Sequence, residues 1–159
     1  MKTSSIVWRA VGLGAISGLR STSGLALLSR AASRKAISLE GTPFRLLSSR
    51  KVSTPLQLAL LGELVADKIP GLPSRTAPNA LFGRAFFGAS AGAAVFASEG
   101  RRLPAGALLG VLSAIGAAFA GENLRAAVVG ETAAPALIAA AVEDAIVLVV
   151  GARSLETGG

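Results

Sequence analysis

The chain has no cysteine, no histidine and no tyrosine among its 159 residues, and a single tryptophan. Without cysteine there is no disulfide, thiolate metal ligand or cysteine nucleophile, and without histidine there is no imidazole base or ligand. Chemistry is left to carboxylates, Arg, Lys, Ser, Thr, Asn and the main chain. No nucleophile–base pair stands out among them, so neither an enzyme nor a cofactor nor a metal site is expected. Charge is scarce as well. Only 16% of residues are charged, against about 25% in a soluble domain.

What is present is apolar and small. Hydrophobic residues make up 52% of the chain, mean hydropathy is +0.61, aromatics are 4%, and there are 19 glycines. Small residues let bilayer helices approach closely. The length allows one domain. These features give an all-α, polytopic transmembrane bundle as the expected fold, with the lipid bilayer as its first partner. A small core of this kind also suits a homo-oligomer.

The net charge is +7. A basic balance can mean nucleic acid or cytoplasmic loops that follow the positive-inside rule. The basic residues fall between apolar runs and form no nucleic-acid motif, so the second reading is adopted. The N-terminus faintly resembles a signal peptide. It lacks a small-x-small cleavage site before Arg20 and is kept as structure.

Five helical segments are expected, or six. Ile6 to Leu19 and Leu25 to Ala32 flank a break at Gly18–Gly24. They form either one long helix or two short ones folded back as a re-entrant hairpin. About 14 helical residues rise only about 21 Å, short of a hydrocarbon core of about 30 Å. The side of the N-terminus depends on that choice. Residues 30–53 hold Arg30, Arg34, Lys35, Arg45, Arg50 and Lys51 against Glu40 alone, which marks a cytoplasmic loop. Within it, Phe44 to Leu47 suits a short amphipathic piece at the membrane surface. Pro55 is expected to open the next helix, which ends near Ile69. Asn79 to Ala97 is a spanning segment. Pro104 opens another, ending near Gly121 or Val129, and Pro135 a last one reaching Gly151, with a frayed tail beyond. With the basic loop inside, the chain sits in a bacterial cytoplasmic (inner) membrane.

Two stretches look alike. Thr22 to Ala31 parallels Thr76 to Ala85 at Thr, Ala, Leu, Arg and Ala positions. A weaker parallel sets Pro55, Ala59 and Glu63 against Pro135, Ala139 and Glu143. A duplication would match transporter folds in which broken helices meet at the midplane.

Three motifs carry a family resemblance: Gly18 to Leu28, the long central run Glu63 to Arg84, and Val142 to Ala145. Together they make the chain similar to the bacterial and plant membrane group called domain of unknown function 4126. The resemblance covers nearly the whole sequence. One departure is Gly24, where the pattern has Pro after a Ser or Thr. The resemblance implies a small multi-spanning membrane protein and brings no established activity with it.

Function is sought at charges placed inside apolar sequence. A carboxylate at the centre of a bilayer helix costs about 2.5–3.5 kcal/mol on insertion scales. Glu63 and Asp67 share a helix face, and Glu143 and Asp144 interrupt a second apolar run. They are candidates for binding a cation, a proton or a substrate amine, or else they pair with Arg and lock the bundle. Arg20 beside Thr22, Arg75 beside Thr76, and Arg84 and Arg125 are candidate counter-charges or anion-binding groups, with ordinary helix capping as the plain alternative. Gly14 and Gly18, Gly88 and Gly92, and Gly106 and Gly110 have the spacing of helix-packing signals. Glu122 and Asn123 read as a solvated helix end. The expected function is to bind or move a small solute, ion or lipid headgroup. The alternative is a structural or assembly protein whose buried charges only specify packing.

Overall fold

The computed structural model describes residues 3–66 and 76–128, and positions 142, 144–147, 149–151, 153 and 155 near the C-terminus. Five α-helices are defined: α1 Thr3–Leu19, α2 Ser23–Ser33, α3 Arg50–Ala66, α4 Pro78–Ser98 and α5 Leu103–Val128. A 3-10 turn at Arg45–Ser48 precedes α3. The described positions from 142 to 155 are helical too, and no strand occurs among the described residues. The all-helical architecture is the expected one. Two helices are long and apolar enough to cross a membrane, Pro78–Ser98 and Leu103–Leu124, and Ser4–Leu19 is a shorter apolar helix.

The first two segments form a hairpin. Residues 20–22 break the helix, and α2 folds directly back on α1. A side-chain carbon at Gly24 would collide with the Leu13 carbonyl and the Ser17 hydroxyl, so this close approach requires glycine. The Ser23 hydroxyl lies 2.7 Å from the Ile16 carbonyl and 2.8 Å from that of Arg20, within donating distance of both, and so ties the start of α2 to the end of α1 and the turn.

Small residues set the central packing. Gly88 and Gly92 of α4 face Gly110 and Gly106 of α5, an antiparallel seam, while Gly14 and Gly18 of α1 face Gly110 and Ala114 in parallel. All six glycines of the expected packing signals therefore meet inside one chain. The outer faces carry the large side chains. Phe82 and Phe86 on α4 and Leu108, Leu112 and Phe119 on α5 are exposed, Phe82 by 75%. The two spanning-length helices thus bury glycine and alanine and expose phenylalanine and leucine, the reverse of a helix packed for water.

This arrangement places the ends. Arg9, near the start of α1, lies 3.7 Å from Glu99, just past α4. The return of α2 carries Arg30 and Arg34 to that same end, beside the α4–α5 turn with Arg101 and Arg102. The N-terminus and the basic segment therefore share one end of the bundle.

Two capped turns finish helices at this end. Ala36 donates to Ala31 at 2.9 Å and Lys35 to Ala32 at 3.0 Å, closing α2 with Lys35 in left-handed backbone at φ 62°. Arg101 donates to Phe96 at 2.8 Å and Gly100 to Ala97 at 3.0 Å, closing α4 the same way with Gly100 at φ 64°.

Two boundaries differ from expectation. α3 begins at Arg50 rather than Pro55. Ser49 caps it, its hydroxyl accepting from the Lys51 amide at 3.3 Å and its carbonyl from the Ser53 amide at 2.9 Å. Pro55 then falls in the second turn on the exposed side. Residues 153 and 155, expected in a frayed tail, are helical, and Leu155 packs against the core. The expected break at 130–132 and helix start at Pro135 lie outside the described residues.

Candidate functional site

The break between α1 and α2 is where charge gathers. Ending α1 at Leu19 leaves its last carbonyls open, and starting α2 at Ser23 leaves its first amides open. Inside an apolar bundle water does not supply the missing partners, so side chains must. Arg84, one and a half turns into α4, donates to the Gly18 carbonyl at 2.5 Å and the Leu19 carbonyl at 3.3 Å. This puts a cation at the negative end of the α1 dipole. Glu63, near the end of α3, accepts the Thr22 amide at 3.3 Å, which puts an anion at the positive end of α2. The Thr22 hydroxyl is buried beside that carboxylate.

Arg20 stands in the break itself, 2% exposed. One guanidinium nitrogen donates to Asp144 in an ion pair, and the other donates to the Glu63 main-chain carbonyl at 3.2 Å. Three further helical segments therefore converge on the tip of the α1–α2 hairpin, each contributing a charge. By helix rise, Glu63 lies about 20 Å from the start of α3. The tip is therefore well inside the bundle rather than at the basic end.

Of the candidate residues, the structure brings Arg20, Thr22, Glu63, Arg84 and Asp144 together here. Asp67, Arg75 and Glu143 lie outside the described residues, as does the side chain of Arg125 on α5. Thr76 lies at the start of α4, remote from the tip. At both hydroxyl-rich helix starts the amide is already taken. Thr22 donates to Glu63, and Thr76 donates to Glu122 at 3.1 Å. The anion seated at each start is a carboxylate of the chain itself.

Glu122 was read from sequence as a solvated helix end. The structure gives it a defined acceptor role at the start of α4. A signal for this existed. Ala59, Gly62 and Glu63 repeat as Ala118, Gly121 and Glu122, and each glutamate serves one of the paired threonines. By position Glu122 corresponds to Glu63: each lies near the end of the second helix after its threonine, α5 after Thr76 and α3 after Thr22.

Outside the tip, Arg9 is buried against Glu99, and the Gln57 amide donates to the Ala26 carbonyl at 2.6 Å, fixing α3 to α2. No group of three or more acidic side chains able to hold a metal occurs among the described residues. No curated protein and no solved structure matches the chain. The family model described as domain of unknown function 4126 matches residues 7–156. The motifs that carry the resemblance thus hold the hairpin, its glutamate and the aspartate that pairs with it, and the chain belongs to the family defined by that domain.

Proposed function

We propose that the chain is an integral protein of the cytoplasmic membrane, with five to six helical segments and its basic end inside, and that the hairpin tip binds and passes a small polar solute or ion. The large apolar side chains on the outer faces of α4 and α5 support the lipid setting, and the collection of basic residues at one end supports the orientation. The observation that carries the functional reading is the pair of helix ends buried at the tip, held by Glu63 and Arg84 with Arg20 and Asp144 between them.

Desolvation offsets most of the Coulombic gain of a buried ion pair, so apolar packing would stabilise a bundle equally well. Breaking one partner away is what costs energy. A site built this way responds to a proton or ion that relieves one charge, and the hairpin it holds is then released. Glu63 and Asp144 supply the negative charge in this scheme, and Arg20 and Arg84 supply the counter-charge.

A second reading, a structural lock, is favoured by one fact: both described carboxylates at the tip already have partners within the chain. Glu63→Gln separates the two readings because the amide oxygen still accepts the Thr22 amide while the charge is gone. Proteoliposomes carrying an internal pH dye are given a proton or cation gradient. Under the transport reading the parent dissipates it and the folded variant does not. A parent without flux, combined with a drop in detergent stability for Asp144→Asn, supports the lock and rejects the conduit.

A further inference from the structure

A second polar feature lies at the basic end, away from the hairpin tip. A cleft of about 390 Å³ opens between the end of α2 and the start of α3, lined by Arg34, Arg50, Ser53, Thr54, Gln57 and Leu58 among others. The volume is in the range of small-ligand pockets, which begins at about 300 Å³. Arg34, just past the end of α2, and Arg50, at the start of α3, are both exposed. Neither side chain makes an ion pair or hydrogen bond among the described residues. The Gln57 amide is tied to Ala26 at 2.6 Å, which makes that wall rigid.

Ser53 distinguishes this cleft from a merely basic surface. The residue is only 6% exposed, lines the cleft, and its hydroxyl has no hydrogen-bond partner among the described residues. That hydroxyl is therefore available to donate to an anion seated in the cleft. It sits in the first turn of α3, where the helix dipole also favours an anion. Two guanidiniums, two hydroxyls and a helix start make a donor set without a fixed anion.

The exposed face of α3 gives the rest of the ligand. Lys51, Thr54, Leu58, Leu61 and Val65 form one exposed stripe along the helix. It is polar and cationic beside the cleft and apolar from Leu58 onward, running away from the basic end. A ligand that follows this stripe has an anionic head and a hydrocarbon tail. We propose that the cleft binds the phosphate of an anionic phospholipid, with one acyl chain lying along Leu58, Leu61 and Val65. The proposal rests on the membrane placement above but not on transport through the tip.

The test uses the full chain in nanodiscs of phosphatidylcholine, with phosphatidylglycerol added stepwise and bound lipid counted by native mass spectrometry. Tight retention of phosphatidylglycerol is expected. Binding should weaken at least tenfold in Arg34→Gln/Arg50→Gln, and severalfold in Ser53→Ala, which keeps both charges. Leu58→Ser, at an exposed position, should weaken it without changing the fold. Arg101→Gln/Arg102→Gln removes the same charge at the same end but outside the cleft, and should leave binding unchanged. Equal loss in that control would reduce the effect to diffuse surface electrostatics and overturn the proposal. So would displacement of the lipid by millimolar inorganic phosphate, which would make the ligand a free anion. Alkaline carbonate extraction of native membranes is read separately: release of the chain defeats the membrane placement itself, whereas retention without selective lipid binding defeats only the cleft.

Discussion

Replacing Gly88 by alanine tests the central seam, with Gly83→Ala on the same helix as its control. A methyl at Gly88 would lie 2.7 Å from the Gly110 carbonyl oxygen and 2.7 Å from the Ala114 side chain, whereas one at Gly83 meets nothing within 4 Å. The Gly88 methyl is about 0.7 Å short of the 3.4 Å at which ordinary contact begins, and two of the three nearest atoms it meets are α5 main chain. Main chain cannot swing aside, so α4 and α5 must part along the seam. A gap of 0.5–1 Å forfeits roughly a quarter to a half of each dispersion contact across it. Overpacking of this kind costs about 1–3 kcal/mol, against a helix-propensity gain from Gly to Ala of about 1 kcal/mol. The expected net loss is therefore about 0–2 kcal/mol for Gly88→Ala, with a gain of up to about 1 kcal/mol for Gly83→Ala. Reversible unfolding in mixed detergent micelles, titrated with dodecyl sulfate and followed by circular dichroism, measures both. In a thermal scan each kcal/mol moves the midpoint by about 2–4 °C for a chain of this size. Equal midpoints for the two variants, or a more stable Gly88→Ala, would refute the close α4–α5 packing.

Other perturbations probe the helix ends. Arg84→Met removes both donors to the end of α1 and should cost about 1.5–3 kcal/mol in the same titration, with Arg84→Lys recovering part of it. If Met and Lys both match the parent, the cap contributes nothing. Lys35→Gly should raise stability by about 0.5–1 kcal/mol, because only glycine adopts left-handed backbone without steric cost. A loss there would contradict the α2 ending. Glu122→Ala should lower stability by about 1 kcal/mol through loss of the acceptor at the start of α4, while Glu122→Gln, which keeps an oxygen for the Thr76 amide, should stay near the parent. Hydrogen exchange at the Thr76 amide reads the same contact directly.

Much of this was legible in the residues. α4 and the start of α5 could be bounded closely because each combines a proline in its first turn with a long apolar run, broken in α4 by Arg84 alone. The hairpin was not decidable, since Gly18–Gly24 suits both a kink and a reversal. The difference lies in a contact between Gly24 and Leu13 that no local pattern encodes. The start of α3 was misplaced because Pro55 was read as a first-turn residue, whereas Ser49 is the capping signal and an exposed proline is tolerated in the second turn. At the tip, Arg20, Glu63, Arg84 and Asp144 could be singled out by type but not joined, because they come from four separate segments. Glu122 was dismissed because it was weighed against its neighbours rather than against the matching Ala-x-x-Gly-Glu at Ala59.

The hairpin also constrains the order in which the protein can be made. It is translated before the residues that hold it: Glu63 lies 41 residues after Thr22, Arg84 lies 66 after Gly18, and Asp144 lies 124 after Arg20. At about 5–20 residues per second, the interval between Arg20 and its aspartate is roughly 6–25 s. Throughout that time the Arg20 guanidinium has no Asp144 to meet in the bilayer. The contacts of the hairpin tip are therefore complete only once residue 144 has been made, and a truncation that removes it should leave Arg20 without its Asp144 ion pair and lower the stability of the hairpin.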